Sequence, residues 1–201
     1  MSHFVVPNHI IVGNGVLNEA APILKKMGNK AFIVTGKHVA VSDMMKKLIS
    51  LLDENDIRYV VFDGITGEPD DVMIENGVDL LKNSDCDFII GIGGGSPLDS
   101  AKAIAAMAVN GGSISDYNGK EISGEILPLA AIPTTAGTGS EATKFTVITD
   151  SQKGIKMLLK GDVLVPKLAI VDSEFTVSSP KSVTAATGLD ALTHAVEAYT
   201  S

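Results

Sequence analysis

The sequence predicts an α/β fold in which a parallel sheet is flanked by helices and is followed by the start of an all-helical domain. Short apolar runs alternate with longer segments whose apolar residues recur at helical spacing, which is the pattern of βαβ units. Of the 201 residues, 45% are hydrophobic but only 4% are aromatic. The core must therefore be aliphatic, as it is in buried parallel sheets.

Strands and helices can be assigned in order along the chain. The first four predicted strands lie at 31–35, 59–62, 87–95 and 127–135. The predicted helices between them lie at 42–56, 70–84 and 96–109. Ser42 or Asp43 can cap the first helix. Ser96 can cap the third, with Pro97 at its first helical position. Three further strands, which we expect to be antiparallel, are predicted near 145–149, 155–159 and 168–172.

The pattern changes near residues 176–182, where strand-like sequence gives way to the alanine-rich, helical "VTAATGLDALTHAVEAY". We therefore expect an α/β domain at 1–178 and the beginning of a truncated all-helical domain at 179–201. No repeat or low-complexity segment interrupts either part.

Composition limits the partners and the compartment. A net charge of −8 argues against nucleic acid and anionic membrane as partners. The N-terminal segment has neither a basic region nor a long apolar run, so we expect no signal peptide and a cytoplasmic protein. Cys86 is the single cysteine and enters an apolar strand, so we interpret it as a core residue; it excludes a disulfide within the chain and a cysteine-based zinc cluster.

Three consecutive glycines separate a predicted buried strand from a predicted helix in "GIGGGSPLDSAK" at 91–102. Glycines let the backbone approach a ligand closely, and a helix N-terminus offers free N–H groups to a pyrophosphate. The spacing matches neither G-x-G-x-x-G nor a P-loop. A tight turn that needs glycine for geometry alone remains the alternative. Asp99 either stabilises the first helical turn or accepts a hydrogen bond from the ribose or nicotinamide side of a nucleotide.

A second loop of the same kind, "PTTAGTGSEAT" at 133–143, also follows a predicted buried strand. Its hydroxyl side chains are Thr134, Thr135, Thr138 and Ser140. Two such loops at the carboxyl ends of parallel strands fit a nucleotide that crosses the edge of the sheet. Lys156, on a following strand, is either a solvated surface lysine or a charge partner for that nucleotide.

Asp190 and His194 are four residues apart in the last predicted helix, so their side chains lie on one face, one turn apart. Both side chains are suitable ligands for a divalent metal. A simple hydrogen bond between them is the alternative, and two protein ligands make an incomplete metal site.

Together, "GGGSPLDSAK", "PTTAGTGSEAT" and "TGLDALTHAVEAY", in this order and at these separations, resemble the iron-containing (group III) alcohol dehydrogenases. The resemblance begins at "FVVPNHIIVGNGV" and extends to the last residue. It implies an N-terminal dinucleotide-binding, Rossmann-like domain and a C-terminal all-helical domain. It also implies Fe(II), in some members Zn, in the cleft between them, where a small-molecule alcohol and its aldehyde or ketone are interconverted.

The resemblance assigns roles to matching residues. Those expected to hold the pyrophosphate are Gly94, Gly95 and Ser96, with Asp99 on the nicotinamide side. Those expected along the adenine and ribose are Thr134, Thr135, Thr138 and Ser140, with Lys156 reaching the cofactor. The first two metal ligands would be Asp190 and His194, and the other two would be histidines beyond residue 201.

The sequence departs from the family pattern after the strand at 31–35. Members that prefer NAD usually carry an aspartate there, which bonds the ribose hydroxyls, whereas this chain has Gly36. Without the carboxylate there is less repulsion toward a 2′-phosphate, and Lys37 or His38 can favour it. We therefore expect NADP rather than NAD.

In the intact enzyme we expect metal-assisted hydride transfer between NAD(P) and an alcohol or aldehyde, in a homo-oligomer. The 201-residue chain itself is expected to be an inactive cofactor-binding fragment. Two alternatives stay open: a relative of the glycerol dehydrogenase or dehydroquinate synthase type, and a non-catalytic nucleotide-binding module.

Overall fold

A computed structural model describes residues 4–201. Met1–His3, at the start of the segment in which no signal peptide is predicted, lie outside the described residues. The strands are β1 (His9–Gly13), β2 (Lys30–Val34), β3 (Arg58–Phe62), β4 (Phe88–Gly93), β5 (Leu129–Pro133), β6 (Phe145–Asp150), β7 (Ile155–Lys160) and β8 (Leu168–Asp172). The α-helices are α1 (Ala21–Met27), α2 (Lys37–Ala40), α3 (Asp43–Glu54), α4 (Asp71–Lys82), α5 (Gly95–Asn110) and α6 (Lys181–Thr200).

Six strands form one parallel sheet in the order β1-β8-β5-β4-β2-β3. This confirms the predicted α/β, Rossmann-like class. The chain leaves β2 toward β3 on one side and returns to β4 on the other side of β2. The strand order therefore reverses between β2 and β4, which is where open α/β sheets bind ligands, beyond the carboxyl ends of the strands.

The aliphatic strands account for a core on both faces of the sheet. Successive residues of β2 alternate between the two, because neighbouring side chains on a strand point to opposite faces: Ala31 and Ile33 contribute to one core cluster, and Phe32 and Val34 to the other. Helices α1 and α3 cover the first face, while α4, α5 and the antiparallel β6–β7 hairpin cover the second.

The three predicted helices are confirmed as α3, α4 and α5, each within two residues at either end. The Ser42 hydroxyl caps α3 by accepting from Met45 N at 3.3 Å. The sequence prediction missed β1, a five-residue edge strand with a partly exposed pattern, and the short α1. It was wrong about β8, which is parallel to β1 and β5 because it is buried within the sheet rather than paired in a hairpin.

Helix α6 packs against the second glycine-rich loop with its backbone. A Cβ atom added at Gly137 would lie 2.7 Å from Thr187 O and 3.0 Å from Thr187 Cα. Ser179 Oγ, just before the helix, donates to Thr134 O at 3.2 Å. The large apolar side chains of α6 are exposed; they are Val183, Leu189, Leu192, Val196 and Tyr199. Within residues 4–201, no helix is long and apolar enough to cross a membrane. The domain boundary near residue 178 stays a prediction.

We expect Gly91→Ala to destabilise the fold by about 1–3 kcal/mol, since overpacking a close contact strains it. The new Cβ would lie 2.9 Å from Ala101 Cβ and 3.6 Å from Leu98 Cα, so α5 must move away from β4. Gly67→Ala is the matched control, because a Cβ there meets nothing within 4 Å. Urea unfolding of both variants measures the difference; equal stability would show that α5 does not need this close approach.

We expect Gly137→Ala to loosen α6 while the sheet stays intact, because the added methyl meets the helix backbone at Thr187. Hydrogen exchange should accelerate in α6 and remain slow in β4 and β5. Gly188→Ala on the same helix faces open space and should slow exchange there, because alanine favours helix over glycine by about 0.5–1 kcal/mol. Unchanged exchange of α6 in Gly137→Ala would contradict this docking.

Candidate cofactor and metal site

The glycine turn brings the backbone of β4 directly into α5. Gly93 has φ of +149°, and a Cβ on it would lie 2.6 Å from Pro97 Cγ, so a side chain is excluded on both conformational and steric grounds. A Cβ on Gly95 would lie 2.9 Å from Thr138 Cγ2 of the second loop. The glycines are therefore needed for close packing as well as for the turn.

Helix α5 begins at Gly95, and Gly94 is its N-cap residue. The prediction that Ser96 caps the helix was wrong: Ser96 is the second helical residue, and no side chain among residues 4–201 caps this end. The physical consequence is that the first N–H groups of a 16-residue helix stay free at the carboxyl edge of the sheet. Free donors and the positive end of the helix dipole suit a phosphate group.

The second loop lies directly against the glycine turn. Thr134 N donates to Gly93 O at 2.8 Å, and Thr135 and Thr138 side chains contact the positions where Gly94 and Gly95 would carry Cβ atoms. Thr138 Oγ1 accepts from Ser140 N at 3.3 Å. The structure thus brings the two predicted nucleotide loops together at the ends of β4 and β5.

Asp99 connects α5 to the residues that follow the second loop. Its Oδ1 accepts from Ser140 Oγ at 2.6 Å, and its Oδ2 accepts from Val147 N at 2.8 Å. Burial raises the pKa of the Asp99 carboxyl above its usual value, while these two donors and the charge of Lys102 oppose the rise. Asp99 also lines the cavities described below, so its structural role does not remove it from the site.

Lys102 is the polar residue that the sequence analysis missed. It is fully buried, and its Nζ donates to Thr143 O at 2.9 Å and to Phe145 O at 2.8 Å. The signal available in the sequence was a lone lysine within the apolar helix pattern "AKAIAAMAV", one turn after Asp99.

Lys156, on β7, has its Nζ 2.6 Å from Glu68 Oε1, with 61% of its side chain exposed. It lines a 260 Å³ cavity together with Gly95, Ser96 and Thr138. Neither interpretation of Lys156 is excluded by this geometry: it is solvated and paired, yet it faces the glycine turn.

Asp190 and His194 lie side by side on α6, with His194 Nε2 3.6 Å from Asp190 Oδ1. Both line a 760 Å³ cavity whose opposite wall is formed by residues of the two predicted nucleotide loops. The polar residues of that wall are Asp99, Thr138, Ser140 and Thr143. The predicted metal pair and the predicted cofactor loops therefore share one cavity.

The donor set fits a divalent metal in part. A carboxylate and an imidazole on one helix face, both open to the cavity, are appropriate ligand types. Within residues 4–201, however, no group of three or more potential ligands among His, Cys, Asp and Glu is assembled. The described residues thus provide two metal ligands and no more.

Gly36 lies at the carboxyl end of β2, next to the strand that leads into the glycine turn, and is the N-cap residue of α2. A Cβ on Gly36 would be 2.8 Å from Ile65 O. Gly36 does not line either of the two cavities described above. A separate 560 Å³ groove beside α3, near Lys46 and Asp172, contains none of the predicted site residues.

Comparison with known proteins agrees with this geometry. The chain is 40% identical over 201 residues to an NAD-dependent methanol dehydrogenase of Bacillus methanolicus, covering 99% of this chain and 53% of that protein. It is 43% identical over 203 residues to alcohol dehydrogenase 4 of Schizosaccharomyces pombe, covering 100% of this chain and 48% of that protein. The chain therefore spans about half the length of the curated relatives it matches.

Solved structures agree with the sequence relatives. An iron-containing alcohol dehydrogenase from Thermotoga maritima superposes with a TM-score of 0.91 at 36% identity, over 99% of this chain and 55% of that one. The family model for iron-containing alcohol dehydrogenase matches residues 7–173. The glycine turn, the hydroxyl-rich loop and the Asp–His pair thus occur in a chain that belongs to the iron-containing alcohol dehydrogenase family.

Proposed function

We propose that the protein is a metal-dependent NAD(P) alcohol dehydrogenase, an oxidoreductase, and that residues 4–201 supply its cofactor site and two of its metal ligands. The observation that carries this proposal is the shared cavity of 760 Å³, which is lined by Asp190 and His194 on one side and by Asp99, Thr138 and Ser140 on the other. A cofactor and a metal held there act on the same substrate.

The residues present divide the work between them. The free N–H groups of α5 bind the pyrophosphate, and the glycine turn leaves room for it. Thr138 and Ser140 offer hydroxyl groups along the cavity wall. Asp190 and His194 would hold the metal, which supplies Lewis-acid polarisation of the substrate oxygen when bound. The nicotinamide supplies the hydride chemistry.

Proposed cofactor choice is NADP in preference to NAD, and it rests on Gly36. No carboxylate is present at this position to bond the ribose or repel a 2′-phosphate, and the exposed Lys37 and His38 follow directly. The Ile65 carbonyl closes the space beside Gly36, so a side chain cannot be accommodated without moving that loop. The NAD-dependent relative from Bacillus methanolicus makes NAD the alternative.

The 201-residue chain by itself is proposed to bind the cofactor with little or no turnover. A metal held by only two protein ligands on an exposed helix is weakly bound. Its substrate is proposed to be a small alcohol or aldehyde.

Calorimetric titration of the 201-residue chain tests the cofactor proposal. We expect NADPH to bind more tightly than NADH. Gly36→Ala should weaken both equally, since it introduces only the contact with Ile65 O. Gly36→Asp should weaken NADPH by a further factor of about ten relative to Gly36→Ala, because a carboxylate repels the 2′-phosphate. Tighter binding of NADH by the wild type, or equal NADPH affinity in the two variants, would contradict NADP preference.

Metal titration tests the Asp–His pair. Asp190→Asn and His194→Ala should each weaken Zn(II) or Fe(II) binding by more than about tenfold, because each removes a ligand. Glu197→Gln is the matched control: Glu197 lines the same cavity but is not assigned as a ligand. NADPH affinity should stay unchanged in all three variants. Loss of metal binding in Glu197→Gln alone would assign the site to a different set of residues.

A further inference from the structure

Lys102 is a buried cation whose three N–H groups are all used. Its side chain has no exposed surface, and Nζ donates to Thr143 O, Thr143 Oγ1 and Phe145 O at 2.9, 3.2 and 2.8 Å. Lysine is almost never fully buried unless it is paired or hydrogen-bonded. The position therefore depends on these partners, which all belong to the segment after the second loop.

Asp99 and Lys102 act on the same segment from one face of α5. Asp99 accepts from Ser140 Oγ and Val147 N, while Lys102 donates to the carbonyls of residues 143 and 145 between them. Thr146 Oγ1 adds a bond to the Asp99 carbonyl at 2.8 Å. Helix α5 thereby holds residues 140–147 from one end to the other.

That segment forms a wall of the cavity proposed for the cofactor. Ser140, Thr143, Phe145 and Val147 all line it, whereas Lys102 does not line either of the two cavities. Lys102 lies behind the wall, so any effect on the cofactor must pass through the position of this segment.

We propose that Lys102 is a positioning residue for cofactor binding: its buried ammonium fixes residues 143–145 against α5 and so sets the wall that receives the nicotinamide half of the cofactor. The inference rests on the function proposed above. Lys102 does not touch the cofactor and is not a proton donor to the substrate.

The surroundings make the ammonium sensitive to pH. The charged groups facing it are Asp99 on α5 and Glu141 in the short 3₁₀ turn Ser140–Ala142; from β6 and the residue before it, Lys102 meets carbonyl and hydroxyl oxygens only. Burial lowers the pKa of Lys102 to about 8, although both carboxylates oppose the change. Above that pH a neutral amine keeps two N–H groups for three acceptors.

Stability and affinity should then respond to pH in opposite directions. Because the folded-state pKa is about 8 and the usual value is 10.5, the charged lysine opposes folding, and its contribution to stability rises as pH increases from about 8 to about 10.5. Cofactor affinity should fall as the ammonium loses its proton. A role in folding alone would move both quantities in the same direction.

Three variants of the 201-residue chain test this, with NADPH dissociation constants measured by fluorescence between pH 7 and pH 9. Lys102→Met, which keeps the length but removes the charge, should weaken NADPH binding at pH 7 by about tenfold or more, the usual effect of losing hydrogen bonds from a charged donor. Thr143→Val removes one acceptor and should cost less. Lys144→Met is the matched control, since Lys144 pairs with Asp162 at 2.9 Å and is 42% exposed.

The pH profile is the decisive readout. Wild-type affinity should fall several-fold between pH 7 and pH 9 and approach that of Lys102→Met, whose own profile should be flat. Lys144→Met should follow the wild type. If Lys102→Met does not fold by circular dichroism, the wild-type and Thr143→Val profiles decide the question.

Two failures are distinguishable. A wild-type chain that binds neither NADPH nor NADH would overturn the proposed function and this inference with it. A wild-type chain that binds NADPH with a flat pH profile, or a folded Lys102→Met that binds as tightly as wild type, would overturn the positioning role alone.

Discussion

Helix α5 lies on β4 at a distance that only a glycine at position 91 permits, because a Cβ there would meet both Ala101 and Leu98 at 3.1 Å or less. The rest of the site depends on this close contact. It places the N-terminus of α5, with its free N–H groups, at the carboxyl edge of the sheet beside the point where the strand order reverses. It also turns Asp99 and Lys102 toward the segment that leads into the β6–β7 hairpin.

From this helix the site is built outward by hydrogen bonds and close backbone contacts. The second loop packs on the glycine turn through Thr138, and α6 packs on that loop through Gly137. Asp190 and His194 are thereby carried to the cavity by a chain of contacts that begins at β4. Small residues are needed at each step, since every contact in the series is made by backbone or by a short side chain. A change at one step is therefore expected to displace those that follow it.

Much of this was available from the sequence because the signals are local. The order of strands and helices, the two glycine-rich loops and the Asp–His pair are each encoded within a dozen residues or so. The parallel pairing of β8 was not, because it depends on β1 and β5, which are remote in sequence. Lys102 was missed for the same reason, since its acceptors lie 41 and 43 residues away. Ser96 was misassigned because capping preferences describe helices whose ends are stabilised internally, whereas α5 leaves its N-terminus open.

The central claim is that the cofactor and the metal meet in one cavity, and paramagnetic relaxation tests it most directly. Mn(II) added to the 201-residue chain with bound NADPH broadens the protons nearest to it, and the effect does not require tight metal binding. The account predicts that the nicotinamide protons broaden more than the adenine protons, and that the difference disappears in the Asp190→Asn, His194→Ala double variant. Equal broadening of the two ends of the cofactor, or broadening that persists without Asp190 and His194, would contradict it.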